Sequence, residues 1–117
     1  MSNSGKYNLE ARTFDFSNRL RALIQLLPKN QVNYQLCNQV FRSGTSIGAN
    51  YREANETVTK KDFKFRIRIS KKESKETIYW LNLLFEANPS FRHRIKPLYQ
   101  EATELMKIFA VILRNYK

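Results

Sequence analysis

The chain is short of the residues from which most catalytic and cofactor sites are built. Its 117 residues include one cysteine, Cys37, and one histidine, His93. A lone cysteine excludes an internal disulfide framework and a cysteine-based zinc site. Cys37 falls on a helical pattern and reads as a small buried residue rather than a nucleophile. His93 has no second histidine or cysteine with which to share a metal, so no metal site and no cofactor are expected. Three glycines and three prolines leave little room for the many turns of an all-β fold. No apolar run approaches the ~18 residues of a membrane span. The first seven residues, Met-Ser-Asn-Ser-Gly-Lys-Tyr, lack the apolar core of a signal peptide. The expected location is the cytoplasm. Acids are scarce too: 10 Asp and Glu stand against 21 Lys and Arg, for a net charge of +11.

What the chain has in quantity is amphipathic helix. Leu9, Thr13, Phe16, Leu20, Leu23 and Leu27 recur at spacings of four and three, one apolar seam of a helix over 9–27 that Pro28 ends. A second helix over 33–56 has the seam Leu36, Val40, Gly44, Ile47, Tyr51 and Ala54. A polar stripe of Arg42, Ser46, Asn50 and Glu53 runs beside it, with Ala49 adjoining. Thr59 and Asp62 resemble a capping box and open a third helix over 60–86. Its seam is Phe63, Ile67, Ser70, Ser74, Thr77, Leu81 and Leu84, and Asn88-Pro89 ends it. Residues 90–97 leave two readings open: Ser90 caps an early turn, or Pro97 stands in the first turn of the last helix. That helix is placed over 97–116, with the seam Leu98, Ala102, Leu105, Phe109, Ile112 and Tyr116. The pattern predicts an all-α fold, an antiparallel up-down-up-down four-helix bundle. It forms one domain over 1–117, with residues 1–8 disordered.

The second helix organises the rest. Each glycine inside a helix costs about 1 kcal/mol against alanine. Gly44 and Gly48 share one face, with Ser43, Thr45 and Ala49 beside them. A helix that accepts this cost needs another backbone close by, so Gly44, Ser46, Gly48, Ala49 and Asn50 are assigned to helix packing. A phosphate-binding glycine loop would need a preceding strand and a lysine after the second glycine. Neither is present.

The same stretch, Ser43-Gly-Thr-Ser-Ile-Gly-Ala-Asn-Tyr-Arg-Glu-Ala54, resembles the signature of a bacterial four-helix-bundle family. That family includes the proteins encoded by intervening sequences in 23S rRNA genes. Lys60-Lys-Asp-Phe63 and Lys72-Glu-Ser-Lys-Glu-Thr-Ile-Tyr-Trp-Leu81 are similar to its third-helix motif. Tyr7-Asn-Leu-Glu-Ala-Arg-Thr13 and Glu101-Ala-Thr-Glu-Leu-Met-Lys-Ile108 resemble its first and fourth helices. Its relatives include the accessory protein of diversity-generating retroelements, a pentameric barrel of bundles that binds nucleic acid. The resemblance implies a homo-oligomer, a pentamer by that likeness, and nucleic-acid binding. It brings no catalytic residues.

Charge points the same way. Residues 1–58 hold seven basic and four acidic side chains, and residues 59–117 hold fourteen and six, a split of +3 and +8. At 100° per residue, Lys60, Lys61, Lys64, Arg68, Lys71, Lys72 and Lys75 fall within an arc of about 120°, along about 22 Å of helix. Duplex DNA carries one charge per ~1.7 Å of axis, so this strip could face several phosphates. Lysines supply charge without a base code. The expected binding is salt-sensitive and sequence-independent, and these seven residues are its candidates. Phe63, Trp80 and Phe85 lie off the arc and Tyr79 one turn beyond Lys75, so rings interleaved with the charges are not evident. Arg92, His93, Arg94 and Lys96 form a second cluster, placed in or near a loop.

If the second and third helices are antiparallel, Arg42 faces Glu73 or Glu76, and Arg66 lies within a turn of Glu53. Two ion pairs, Arg42–Glu73 (or Glu76) and Arg66–Glu53, are therefore expected. Read as an enzyme, Glu53, Glu73 and Glu76 would form a carboxylate cluster. Di-iron bundles, however, need Glu-x-x-His motifs on paired helices, and one histidine cannot supply them. The reading is a non-catalytic, oligomeric nucleic-acid binder. The alternative is a scaffold whose basic face docks an acidic protein. A membrane-surface role is set aside, because the strip lacks flanking exposed apolar residues.

Overall fold

Three polar side chains start the first three helices. Asn8 accepts a hydrogen bond from the Ala11 backbone N–H at 3.1 Å. Asn30 accepts one from that of Asn33 at 2.9 Å, and Thr59 one from that of Asp62 at 3.1 Å. Each satisfies an N–H that a first helical turn leaves unpaired. In the computed structural model, which describes residues 8–116, the helices are α1 (Leu9–Leu26), α2 (Gln31–Asn55), α3 (Lys60–Ala87) and α4 (Arg92–Asn115). Most of the segment expected to be disordered, residues 1–7, lies outside the described residues. Asn8 is the cap of α1, not part of a tail.

Helix α4 begins at Arg92, earlier than the expected start at residue 97. A 3-10 turn, Pro89–Phe91, leads into it, with the Phe91 N–H bonded to the Asn88 carbonyl at 2.9 Å. Pro97 therefore stands inside the helix, where its missing N–H forfeits one backbone bond. His93 and Pro97 are both exposed, so water can satisfy the carbonyl left over. Arg92, His93 and Arg94 lie in the first helical turn, next to the connection from α3 rather than in it.

Each helix packs on its sequence neighbours, and α1 closes the ring against α4. The result is an antiparallel bundle measuring 45 × 26 × 20 Å. Phe16, Leu20, Val40, Ile47, Ile67, Leu81, Leu84, Leu105 and Phe109 are fully buried in its core. Burial of each such side chain contributes about 1.5–3 kcal/mol.

Helices α1 and α2 approach closely at the two glycines. A Cβ added at Gly48 would lie 2.8 Å from Thr13 Oγ1 and 3.0 Å from Thr13 Cβ. Thr13 is held in place, because its hydroxyl donates to the Leu9 carbonyl at 2.6 Å. A Cβ at Gly44 would overlap the Leu20 side chain, which is itself fully buried. The other flank of α2 meets α3 through small polar groups. The Ser43 and Thr77 hydroxyls are 2.8 Å apart, and Ser70 donates to the Ile47 carbonyl at 2.9 Å.

Polar clamps tie the ends and the remaining seam. Asn33 and Asn88 exchange buried amide hydrogen bonds at 2.8 and 2.9 Å, joining the two loops at one end of the bundle. Arg12 grips Glu101 with two bonds, Nε to Oε2 at 2.6 Å and Nη2 to Oε1 at 3.0 Å, which fastens α1 to α4. Hydrogen bonding to Glu101 raises the Arg12 pKa, against the opposing effect of burial.

The packing makes a direct prediction. Gly48→Ala gains about 1 kcal/mol of helix propensity but overpacks a site that cannot yield, at about 1–3 kcal/mol. Urea unfolding should show net destabilisation of up to roughly 2 kcal/mol. A gain in stability would show that α1 and α2 do not approach this closely.

Candidate nucleic-acid interface

Helix α3 buries Ile67, Ser70, Glu73, Ser74, Thr77, Leu81 and Leu84. Helical geometry then fixes which residues face outward, and these include the seven cations of the basic arc. Lys60, Lys61, Arg68, Lys72 and Lys75 are exposed, while Lys64 and Lys71 are half-buried at its flank. Among the described residues, no carboxylate pairs with Lys61, Lys64, Arg68, Lys71, Lys72 or Lys75. Their field therefore reaches solvent un-neutralised.

The basic surface continues onto α4. Lys96, Lys107 and Arg114 are exposed, and their separations of eleven and eighteen residues place them within about 20° of one another. Lys96 lines a cleft with Leu81, Asn82 and Phe85 of α3, so this end of the stripe borders α3. At the other end of the pair, Phe63 stacks on Tyr116 with centroids 4.8 Å apart. Between these two contacts the antiparallel register brings Lys107 to the level of Lys72, and Arg114 to that of Lys64. Glu104 is exposed beside Lys107, and the two share a cleft with Leu9 and Arg12 of α1. Sequence reasoning missed this stripe. Its spacing was visible, but which side of α4 meets α3 was not.

Arg92 does not join this surface. It pairs with Glu86 at 3.4 Å, donates to the Phe85 carbonyl at 2.9 Å and sits over the Phe85 ring.

The rings are arranged differently from the sequence expectation. Phe65 is 55% exposed and Tyr79 59% exposed, with Leu83 open beside them. On the wheel Tyr79 falls within the basic arc, and Phe65 lies about 20° beyond Lys72. Large apolar groups thus do flank the lysines, and one ring interleaves with them. Trp80, by contrast, is half-buried and donates to Glu76 Oε2 at 3.0 Å.

The polar flank of α2 supports α3 from the other side. Arg42 reaches Glu73 at 3.5 Å and also Glu76. The expected Arg66–Glu53 pair does not form. Arg66 donates instead to Asn50 Oδ1 at 3.0 Å, because Asn50 stands at its level while Glu53 projects outward, exposed. Asn50 in turn donates to Ser46, at 3.0 Å to its carbonyl and 2.9 Å to its hydroxyl. Ala49 is exposed rather than buried in the helix packing to which it was assigned. The glycines carry the close approach without it.

Glu73 and Glu76 converge on Arg42, while Glu53 projects away from them. Among the described residues, no three His, Cys, Asp or Glu side chains gather as a metal site. Cys37 is half-buried beside a cleft of about 420 Å³ between α1 and α2, and burial raises its thiol pKa, with Lys29 opposing. No helix among the described residues is long and apolar enough to cross a membrane.

Comparison with known proteins places this architecture. A crystal structure of a protein of unknown function from the S23 ribosomal protein family of Bacteroides thetaiotaomicron VPI-5482 is 34% identical, with a TM-score of 0.81. The match covers 89% of this chain and 96% of that one. No curated protein matches. The 23S rRNA-intervening sequence protein family matches over residues 6–110, nearly the whole bundle, and the chain belongs to that family.

Proposed function

We propose that the protein is a non-catalytic, oligomeric nucleic-acid-binding bundle of the cytoplasm, whose basic α3–α4 face holds the phosphate backbone. The observation that carries this reading is the set of six α3 cations with no carboxylate partner among the described residues, bordered by the Lys96–Lys107–Arg114 stripe. Contacts of this kind release counterions and bind without regard to sequence. The family's description refers to 23S rRNA, so a structured RNA is the first polyanion to test.

A +11 chain repels its own copies, so self-association needs a face with little charge. Helix α2 offers one. Between Gln31 and Tyr51 its one charged residue is Arg42, which is tied to Glu73 and Glu76. Tyr34 and Phe41 are exposed on it, and Phe14 is exposed on neighbouring α1. This supports assembly through the α1–α2 side, with the basic faces turned outward. Several copies would then add weak contacts through avidity.

Two measurements test this reading. Titrating labelled RNA and duplex DNA across a salt series should give affinity that falls steeply with salt. The variant with Lys64, Arg68, Lys71 and Lys75 all changed to glutamine should bind more weakly, its log–log slope flatter by up to roughly 0.9 per charge removed. No binding at low salt would overturn the nucleic-acid reading in favour of a scaffold for an acidic protein. Light scattering on the wild type should report more than one subunit, and Phe41→Glu should shift it toward monomer. A monomeric wild type would end the oligomer reading.

A further inference from the structure

The exposed rings on α3 narrow the class of nucleic acid. Phe65 lies one turn from Lys61, with Arg68 and Lys72 following at three and seven residues along the same outward line. Tyr79 stands about 21 Å further along, one turn past Lys75. A 55% exposed phenylalanine amid cations is poorly explained by phosphate binding alone, which needs no ring. It is well explained by base stacking, in which an aromatic face takes any unpaired base while neighbouring cations follow the backbone.

A cation tied to α2 also neighbours the ring. The Arg66 guanidinium sits over it at 5.8 Å. Asn50 anchors that guanidinium at 3.0 Å, and Ser46 anchors Asn50. A relay from the glycine-bearing segment of α2 therefore ends at an exposed ring on α3.

We infer that Phe65, with Tyr79 beyond it, is a stacking platform, and that the α3 face takes single-stranded nucleic acid in preference to duplex. The inference rests on the nucleic-acid reading above and adds the strand state and the residue that selects it. Duplex bases are stacked on one another and cannot reach these rings. Unpaired bases in loops or free strands can.

The test measures anisotropy of a labelled ~12-nucleotide single-stranded RNA and of the duplex of the same sequence, a length within the range that one single-strand site covers. Wild type should favour the single strand. Phe65→Ala should weaken single-strand binding roughly tenfold and change duplex binding less than twofold, the first figure from the energy of one stacked base. Phe65→Trp should restore affinity and show indole quenching on adding the single strand. Asn50→Ala should cost less than Phe65→Ala. Because Phe65 is exposed, these ring variants keep the core intact. If Phe65→Ala leaves single-strand binding unchanged while the four glutamine substitutions abolish it, stacking is overturned and charge binding stands. If neither nucleic acid binds, both readings fall. If polyglutamate binds as tightly as RNA and loses the same affinity with Phe65→Ala, the platform belongs to an acidic protein partner instead.

Discussion

The contact between Gly48 and Thr13 is the constraint on which the rest of the molecule depends. Removing a side chain from α2 lets its backbone settle against α1, and the Thr13 hydroxyl is locked to its own helix at that point. With α2 drawn inward, one flank faces α1 and the other faces α3. The groups that meet α3 are small or hydrogen-bonded: Ser43 to Thr77, Ser70 to the Ile47 carbonyl, Arg66 to Asn50. These pairs set the rotation of α3 as well as its height. A slip of a single residue would turn it by about 100° and carry the lysines toward the core.

Charge is sorted by the same geometry. Glu73 and Glu76 on the α2–α3 flank are paired with Arg42, and the α1–α4 seam is closed by Arg12 and Glu101. What remains outward on α3 and on the adjoining stripe of α4 is mostly positive. Such segregation costs stability through self-repulsion. The cost is modest for flexible, solvated lysines, and a polyanion would relieve it.

The helices were readable because their seams are regular and their caps are strong. Thr59 and Asp62 mark the start of α3 to the residue. The start of α4 was not readable, since Pro97 is the usual sign of a first turn while here a 3-10 turn had already launched the helix. The basic arc of α3 followed from one helix alone. The α4 stripe and the partner of Arg66 did not, because both depend on the register and rotation between two helices. Phe65 was visible on the wheel, yet its exposure depends on how far α2 and α4 wrap around α3.

The central claim is that one face of the bundle, and not the whole charged surface, holds the polyanion. Lysine acetylation read by mass spectrometry, with and without a structured RNA, tests it most directly. The account predicts protection of Lys61, Lys64, Lys72, Lys75 and Lys107, with Lys29 in the α1–α2 loop unchanged. Uniform protection of every lysine, or protection of Lys29 alone, would contradict it.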